Sequence, residues 1–343
     1  MVQITLPDNS VREYPLPVTG ADIAQSIGAG LAKAAIAIKV NGVQRDLSYP
    51  IAEDSKIAIL TTKDEEGLEI MRHTLTAQVL AKAVKLLWPD AKLAIGPTID
   101  NGFYYDVELD SHQISTDDLP KIEAKMKEIL ATEAPVTREM WIRDEAIRMF
   151  ESRGEKYKAE IIRGAKEDDT TEKGKVSLYR QGSGDDAFID LCRGPHVTSL
   201  TKIPAAAFKL TKVSGAYWRG DAKNKMLQRI YGTAFADEKK LKAYLTMMEE
   251  AEKRDHRKIG REMGLFHLQE EAVGQVFWHA KGWTLYRILE NFIRDNLRRS
   301  GYQEVKTPIL VDRVLWEKSG HWEKFRENMF TSESEEKVLA VKP

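Results

Sequence analysis

The chain has 343 residues, 42% apolar and 31% charged, a balance that excludes a disordered or membrane-embedded protein and predicts two to three globular domains. A net charge of −1 excludes capture of nucleic acid or lipid by bulk electrostatics, so any polyanion site has to be a local patch. One cysteine excludes an internal disulfide framework and fits a reducing, cytoplasmic setting.

Residues 1–8 have neither the basic nor the long apolar stretch of a signal peptide, and no apolar run reaches the ~18 residues of a membrane span. Residues 1 to about 62 read as a strand-rich unit. Residues 2–6 alternate, Pro7-Asp8-Asn9-Ser10 is a turn cluster, and residues 11–16 alternate again, which predicts a hairpin. Thr19 with Asp22 three residues on signals a capped helix ending near Gly28. Strands follow at 35–40, running into Asn41-Gly42, and at 56–60. The order makes a β-grasp arrangement, although periodicity alone leaves a generic α+β unit open.

Lys63-Asp64-Glu65-Glu66-Gly67 reads as a charged linker. Residues 75–87 predict a helix with Leu75, Val79 and Ala83 on one face, closed by Trp88-Pro89. A strand-turn-strand pattern covers 93–107, helices are expected at 117–131 and 143–153, and a polar, Gly-rich hairpin loop over 164–187. Strands at 188–191 and 208–213 complete a region, 68–230, whose segregated helices and strands point to an α+β domain. Residues 237–263 predict one long helix, striped by Leu241, Leu245 and Met248. Its basic far end suits either a phosphate backbone or solvent. A helix over 283–299 is expected to turn Leu285, Leu289, Phe292 and Leu297 inward, followed by a strand over 302–308 and a helix over 312–319.

Asp190-Leu191-Cys192-Arg193-Gly194-Pro195-His196 holds the chain's only cysteine. Gly194 and Pro195 predict a turn, which can bring thiol and imidazole to one point with the Asp190 carboxylate close behind. Such a trio can bind a metal or polarise a water; the alternative is a buried structural cysteine beside a solvated histidine.

Several stretches in register carry a resemblance. They are Ile95-Gly96-Pro97 with Asp100-Asn101-Gly102-Phe103-Tyr104-Tyr105-Asp106, the 190–196 turn, Gly215-Ala216-Tyr217-Trp218-Arg219-Gly220-Asp221, Leu227-Gln228-Arg229-Ile230-Tyr231-Gly232-Thr233, and residues 254–260 and 312–322. Together they resemble bacterial-type threonyl-tRNA synthetase over essentially the whole chain. Alanyl-tRNA synthetases share the editing-domain type, but lack the leading β-grasp unit and carry the editing module after the catalytic domain. The resemblance implies a multidomain α+β chain: a β-grasp (TGS, ubiquitin-like) domain at 1–62, an α+β editing domain at 63–230, a linker helix within 231–263 along tRNA, and the start of a class II catalytic domain at 264–343. There the 283–308 region matches motif 1, which implies a homodimer. The complete protein is expected to be a threonine--tRNA ligase, joining threonine to tRNA(Thr) with ATP, Mg2+ and Zn2+ through residues beyond Pro343. This chain alone is expected at most to hydrolyse mischarged seryl-tRNA(Thr), with no cofactor. A free-standing deacylase acting in trans, or a silent tRNA-binding or dimerising fragment, are the alternatives.

By resemblance, His73, Lys158, Asp190, Cys192 and His196 form the editing site, Tyr104 lines it, and Arg254, Arg257 and Lys258 contact tRNA. The histidines would position or relay protons to water, Lys158 would meet the 3′-terminal ribose or developing negative charge, and Asp190 the substrate amino group. Cys192 would be a polar wall. His73, Cys192 and His196 reach the ligand count of a catalytic zinc site, but the family's editing site works without metal and none is expected. The chain departs from the family at one point: the usual H-x-x-x-H is incomplete. Aligned from His73, the second position is Ala77; aligned from the downstream helix, it is Gln78, with one residue extra. The extra residue is expected to threaten the placement of His73, the missing histidine to slow hydrolysis, and a histidine restored at position 78 to raise the rate.

Overall fold

The computed structural model describes residues 1–165, 173–184, 187–334 and 337–342; part of the loop expected over 164–187 lies outside them. The chain divides into two compact units, Met1–Glu249 and Glu250–Pro343.

The first unit opens with β1 (Val2–Thr5), β2 (Val11–Tyr14), β3 (Val18–Thr19), α1 (Gly20–Ile27), α2 (Ala29–Ala34), β4 (Ala35–Val40), β5 (Val43–Asp46), β6 (Pro50–Ile51) and β7 (Ser55–Thr61). Five strands form one mixed sheet in the order β2-β1-β7-β4-β5, with β1 and β7 parallel, so the β-grasp expectation holds. Thr19 caps α1 through the expected box with Asp22, and α1 buries Ile23 and Ala24 among Val2, Ile4, Ile38 and Ile57. Asn41 (φ 49°) and Gly42 (φ 85°) make the tight turn between β4 and β5.

The expected linker at 63–67 is instead a helix start. α3 (Glu65–Thr74) begins there, its first turn acidic as the helix dipole favours. A side chain at Gly67 would meet the Thr61 carbonyl at 2.0 Å, so only glycine lets α3 seat this closely on the end of β7. Ile70 and Met71 of α3 then share one core with Ile36, Ala37 and Leu60 of the β-grasp sheet. The sheet is docked, not tethered.

α3 runs without interruption into a π-helical turn, Leu75–Leu80, and on into α4 (Ala81–Leu87). The Ala81 N–H reaches back five residues to the Thr76 carbonyl. A π-turn is how a helix absorbs one extra residue without breaking.

Beyond it lie β8 (Lys92–Leu93), β9 (Thr98–Ile99), β10 (Gly102–Glu108), α5 (Leu119–Leu130), β11 (Val136–Ile142), α6 (Arg143–Ser152), α7 (Lys156–Gly164), β12 (Lys175–Gln181), β13 (Phe188–Leu191), β14 (Phe208–Tyr217) and β15 (Met226–Ala234). They build two antiparallel sheets, β14-β15-β10-β8 with β9 on β10, and β11-β12-β13. The α+β reading holds for this region.

The helix expected over 237–263 is two helices, α8 (Glu238–Lys253) and α9 (His256–Glu262). Asp255 leaves helical geometry (ψ 117°) and caps α9 by accepting the Arg257 N–H, which ends one helix and starts the next.

The second unit continues with β16 (Phe266–His267), β17 (Phe277–Trp278), α10 (Ala280–Arg299), β18 (Leu310–Asp312), α11 (Arg313–Lys318), α12 (His321–Phe325), β19 (Thr331–Ser334) and β20 (Lys337–Val341). Two further expectations are corrected here. Leu285, Leu289, Phe292 and Leu297 of α10 are exposed rather than inward, because the buried cluster of this unit, Trp316, Trp322 and Ala340, includes nothing from α10. Residues 302–308 form no strand. Among the described residues they have no ladder partner, and Tyr302 and Val305 are 68% and 81% exposed.

Candidate active site

Three strands and three helices of the first unit converge on a cavity of about 430 Å³. Its walls include His73 from α3, Ala77 from the π-turn, Tyr105 from β10, Lys158 from α7, and Asp190 and Cys192 at the end of β13. His196 lies directly behind, 1% exposed, its ring 4.5 Å from that of His73. The structure therefore gathers His73, Lys158, Asp190, Cys192 and His196 at one place. The extra helical residue does not displace His73, since the π-turn that absorbs it lies downstream.

The turn that delivers Cys192 and His196 needs its glycine. Gly194 has φ 73°, and a side chain there would meet the Tyr179 hydroxyl at 1.9 Å. Cys192 Sγ lies 3.2 Å from His73 Nε2 and accepts the Gly194 N–H. Burial alone would raise the thiol pKa, but the His73 and His196 imidazoles reverse this and hold it well below the ordinary value. Burial opposes protonation of His73 too, yet the Cys192 sulfur and the Asp190 carboxylate outweigh it and lift its pKa. Both shifts run toward a thiolate beside an imidazolium. Iodoacetamide has a single thiol to attack, so intact-mass labelling should show Cys192 reacting with a pH midpoint below the roughly 8.5 of a free cysteine. His73→Ala should move that midpoint upward; a wild-type midpoint at or above a free thiol's would dismiss the ion pair.

His196 is held on every side but one. Thr74 Oγ1 has a single proton, which goes to the Ile70 carbonyl at 2.9 Å, while the same oxygen accepts the Val197 N–H at 3.0 Å. The contact from Thr74 Oγ1 to His196 Nδ1, 3.1 Å, must then be donated by Nδ1–H. In the neutral ring Nε2 is then the nitrogen without a proton, and it is buried and without a partner among the described residues. Such a nitrogen can accept a proton.

Lys158 and Asp190 form a second centre, 2.6 Å apart with side chains 4% and 2% exposed. The Tyr105 hydroxyl accepts from Lys158 Nζ at 3.0 Å and donates to Asp190 Oδ2 at 3.2 Å. Burial, followed by the charge of Asp190, raises the Tyr105 pKa well above normal, so it remains a donor. Burial also raises the Asp190 pKa, with Lys158 pulling against it.

Other expected residues are elsewhere. Tyr104 does not line the cavity; successive strand residues face opposite ways, and its ring lies under Arg229 (3.8 Å) and beside Tyr231 while Tyr105 takes the cavity face. In the second unit Arg254, Arg257 and Lys258 are exposed, Arg254 paired with Glu250 and Arg257 with Asp255. The sequence reading also missed Thr74, Asp46 and Tyr179, which surround His196. Only the alternation of β10 could have flagged Tyr105.

Among the described residues, His73, Cys192 and His196 could hold a metal ion, their donor atoms lying within 4.8 Å of one another.

Residues 176–231 match the Threonyl and Alanyl tRNA synthetase second additional domain, and residues 2–61 match the TGS domain. Over its whole length the chain is 56% identical to the threonine--tRNA ligase of Rhodospirillum rubrum and 57% identical to that of Aromatoleum aromaticum. Over its whole length the chain is therefore similar to threonyl-tRNA synthetases. Each alignment takes in 100% of this chain and 52% of the relative, so the chain spans about half the length of the curated relatives it matches. A solved structure titled as the RNA binding domain of threonyl-tRNA synthetase from Cryptosporidium parvum is 40% identical over 26% of this chain and 23% of its own, at a TM-score of 0.26. The two family matches take in both domain types expected in the N-terminal part of the chain.

Proposed function

We propose that this chain is the editing and tRNA-binding portion of a threonine--tRNA ligase, and that its cavity hydrolyses seryl-tRNA(Thr). The observation that carries the reading is the buried Nε2 of His196, without a partner among the described residues, beside the 3.2 Å His73–Cys192 contact. The need for such a site is energetic. Serine lacks only threonine's methyl, a difference worth roughly 1–3 kcal/mol of discrimination, so a second, hydrolytic site must supply the rest.

The ester carbonyl carbon is attacked by water, whose proton passes to His196 Nε2. The bond to the ribose oxygen breaks, and that oxygen recovers the proton. His73, as imidazolium, is a donor to developing negative charge rather than a base, and Lys158 adds positive charge close by. Asp190 would receive the substrate ammonium. Arg254, Arg257 and Lys258 are exposed cations suited to tRNA phosphates. In the whole protein we expect threonine, ATP, Mg2+ and Zn2+ to serve aminoacylation. The exposed apolar face of α10 suits a homodimer interface. Among the described residues no helix is long and apolar enough to cross a membrane, and a cytoplasmic setting is proposed.

The test is deacylation of purified seryl-tRNA(Thr), with threonyl-tRNA(Thr) as the spared control. Wild type should exceed the buffer rate, His196→Ala should lower it by about 10²-fold or more, and chelator should leave it unchanged. Wild-type hydrolysis no faster than buffer, or an undiminished His196→Ala rate, would sink the reading.

A further inference from the structure

The β-grasp sheet sends one side chain to His196, behind the wall of the cavity. Asp46, the last residue of β5, is 8% exposed. Its Oδ1 accepts the His196 backbone N–H at 2.7 Å, across 150 residues of sequence, and its Oδ2 accepts the Tyr179 hydroxyl at 2.8 Å. The Tyr179 ring in turn stands edge-on to the His196 ring, centroids 4.4 Å apart at 89°. Burial and the Asp46 charge keep that phenol protonated, so it stays a donor.

We infer that Asp46 is a positioning residue for His196, making the seating of the β-grasp domain a condition of hydrolysis. This rests on the hydrolytic reading above. Thr74 fixes the tautomer through Nδ1, but a single hydrogen bond leaves the ring free to pivot. Asp46 removes that freedom twice, by tethering the backbone nitrogen and by holding Tyr179 against the ring edge. A charged acceptor makes both bonds stronger than neutral ones. The β-grasp domain has another fastening nearby, Lys202 Nζ on the carbonyls of Ala32 (3.3 Å) and Ala35 (2.7 Å), and that one touches nothing in the cavity. The two anchors thus separate holding the domain from holding the imidazole.

The experiment compares Asp46→Ala, Asp46→Asn and Lys202→Ala in the full chain. Seryl-tRNA(Thr) kinetics should show kcat falling by about 10²-fold in Asp46→Ala, the scale of a small misplacement, with KM within about twofold. Asp46→Asn, which keeps an oxygen for the His196 N–H, should recover most of the loss, and Lys202→Ala should retain kcat. The imidazole nitrogen NMR spectrum of His196 gives a second readout that needs no activity. It should report narrow ring-nitrogen resonances in wild type and Asp46→Asn, and resonances broadened by motion of the ring in Asp46→Ala. An Asp46→Ala protein with unchanged kcat and spectrum overturns the inference, as does an equal fall in Lys202→Ala, which would make Asp46 a mere fastening. If wild type does not hydrolyse the ester, the functional reading fails while the spectrum still decides the role of Asp46.

Discussion

Lys158→Met should cost about 3–5 kcal/mol of stability and reduce seryl-tRNA(Thr) hydrolysis to the buffer rate. The substitution keeps the length of the side chain and its apolar packing, but leaves Asp190 as an uncompensated buried carboxylate. Breaking a buried pair from one side is the expensive case. The Tyr105 hydroxyl and the Leu191 N–H remain as donors to Asp190, which places the cost within that range rather than beyond it. The loss should depend on pH in a stated direction. Burial already raises the Asp190 pKa and Lys158 opposes the rise, so removing Lys158 raises it further. A carboxyl with a folded pKa above its unfolded value favours the fold below the unfolded value, near 4, and loses that contribution as pH rises through the folded value. Urea unfolding should therefore show the deficit of Lys158→Met shrinking on acidification. Lys158→Met combined with Asp190→Leu should regain most of the stability, since replacing both partners by apolar groups is near neutral, yet should not regain hydrolysis. A double variant as unstable as the single one would show that the pair is not the source of the loss.

The parts of this site that were legible in the sequence are the ones encoded by neighbours. Gly194 and Pro195 announce a turn, and the turn alone brings Cys192 within reach of His196. The alternation of β10 could have chosen Tyr105 over Tyr104 for the cavity, but the family motif drew attention to the wrong face. Asp46 left no local trace. It ends a short polar strand, Val43-Gln44-Arg45-Asp46, and its meaning comes from a partner 150 residues away. The acidic run at 64–66 fits a solvated linker as well as a helix N-terminus, and only docking against β7 separates the two. In α10 the periodicity correctly describes an apolar face. What covers such a face is not a property of the helix that carries it.

The same limit applies to the extra residue after His73, and the structure resolves it in a way that makes the second large effect testable. A hydrophobic stripe cannot distinguish an unbroken α-helix from one containing a single π-turn, so Ala77 and Gln78 were equivalent candidates for the place of the second histidine. They are not equivalent in the fold. Ala77 lines the cavity beside His73, whereas Gln78 is fully buried, does not reach the lining, and has neither amide atom paired among the described residues. Its backbone carbonyl accepts instead from the Gln181 side chain. Ala77→His should therefore place an imidazole on the cavity wall and raise seryl-tRNA(Thr) hydrolysis by up to about 10²-fold, the lower range for a well-placed acid–base group. Gln78→His should give no gain, because its ring enters the packed interior, where an unpaired ring nitrogen costs about 1–3 kcal/mol. Single-turnover deacylation of the two variants beside wild type, with melting curves to match, separates the cases. A gain in Gln78→His and none in Ala77→His would assign the missing histidine's place to position 78 and refute the frame set by the π-turn.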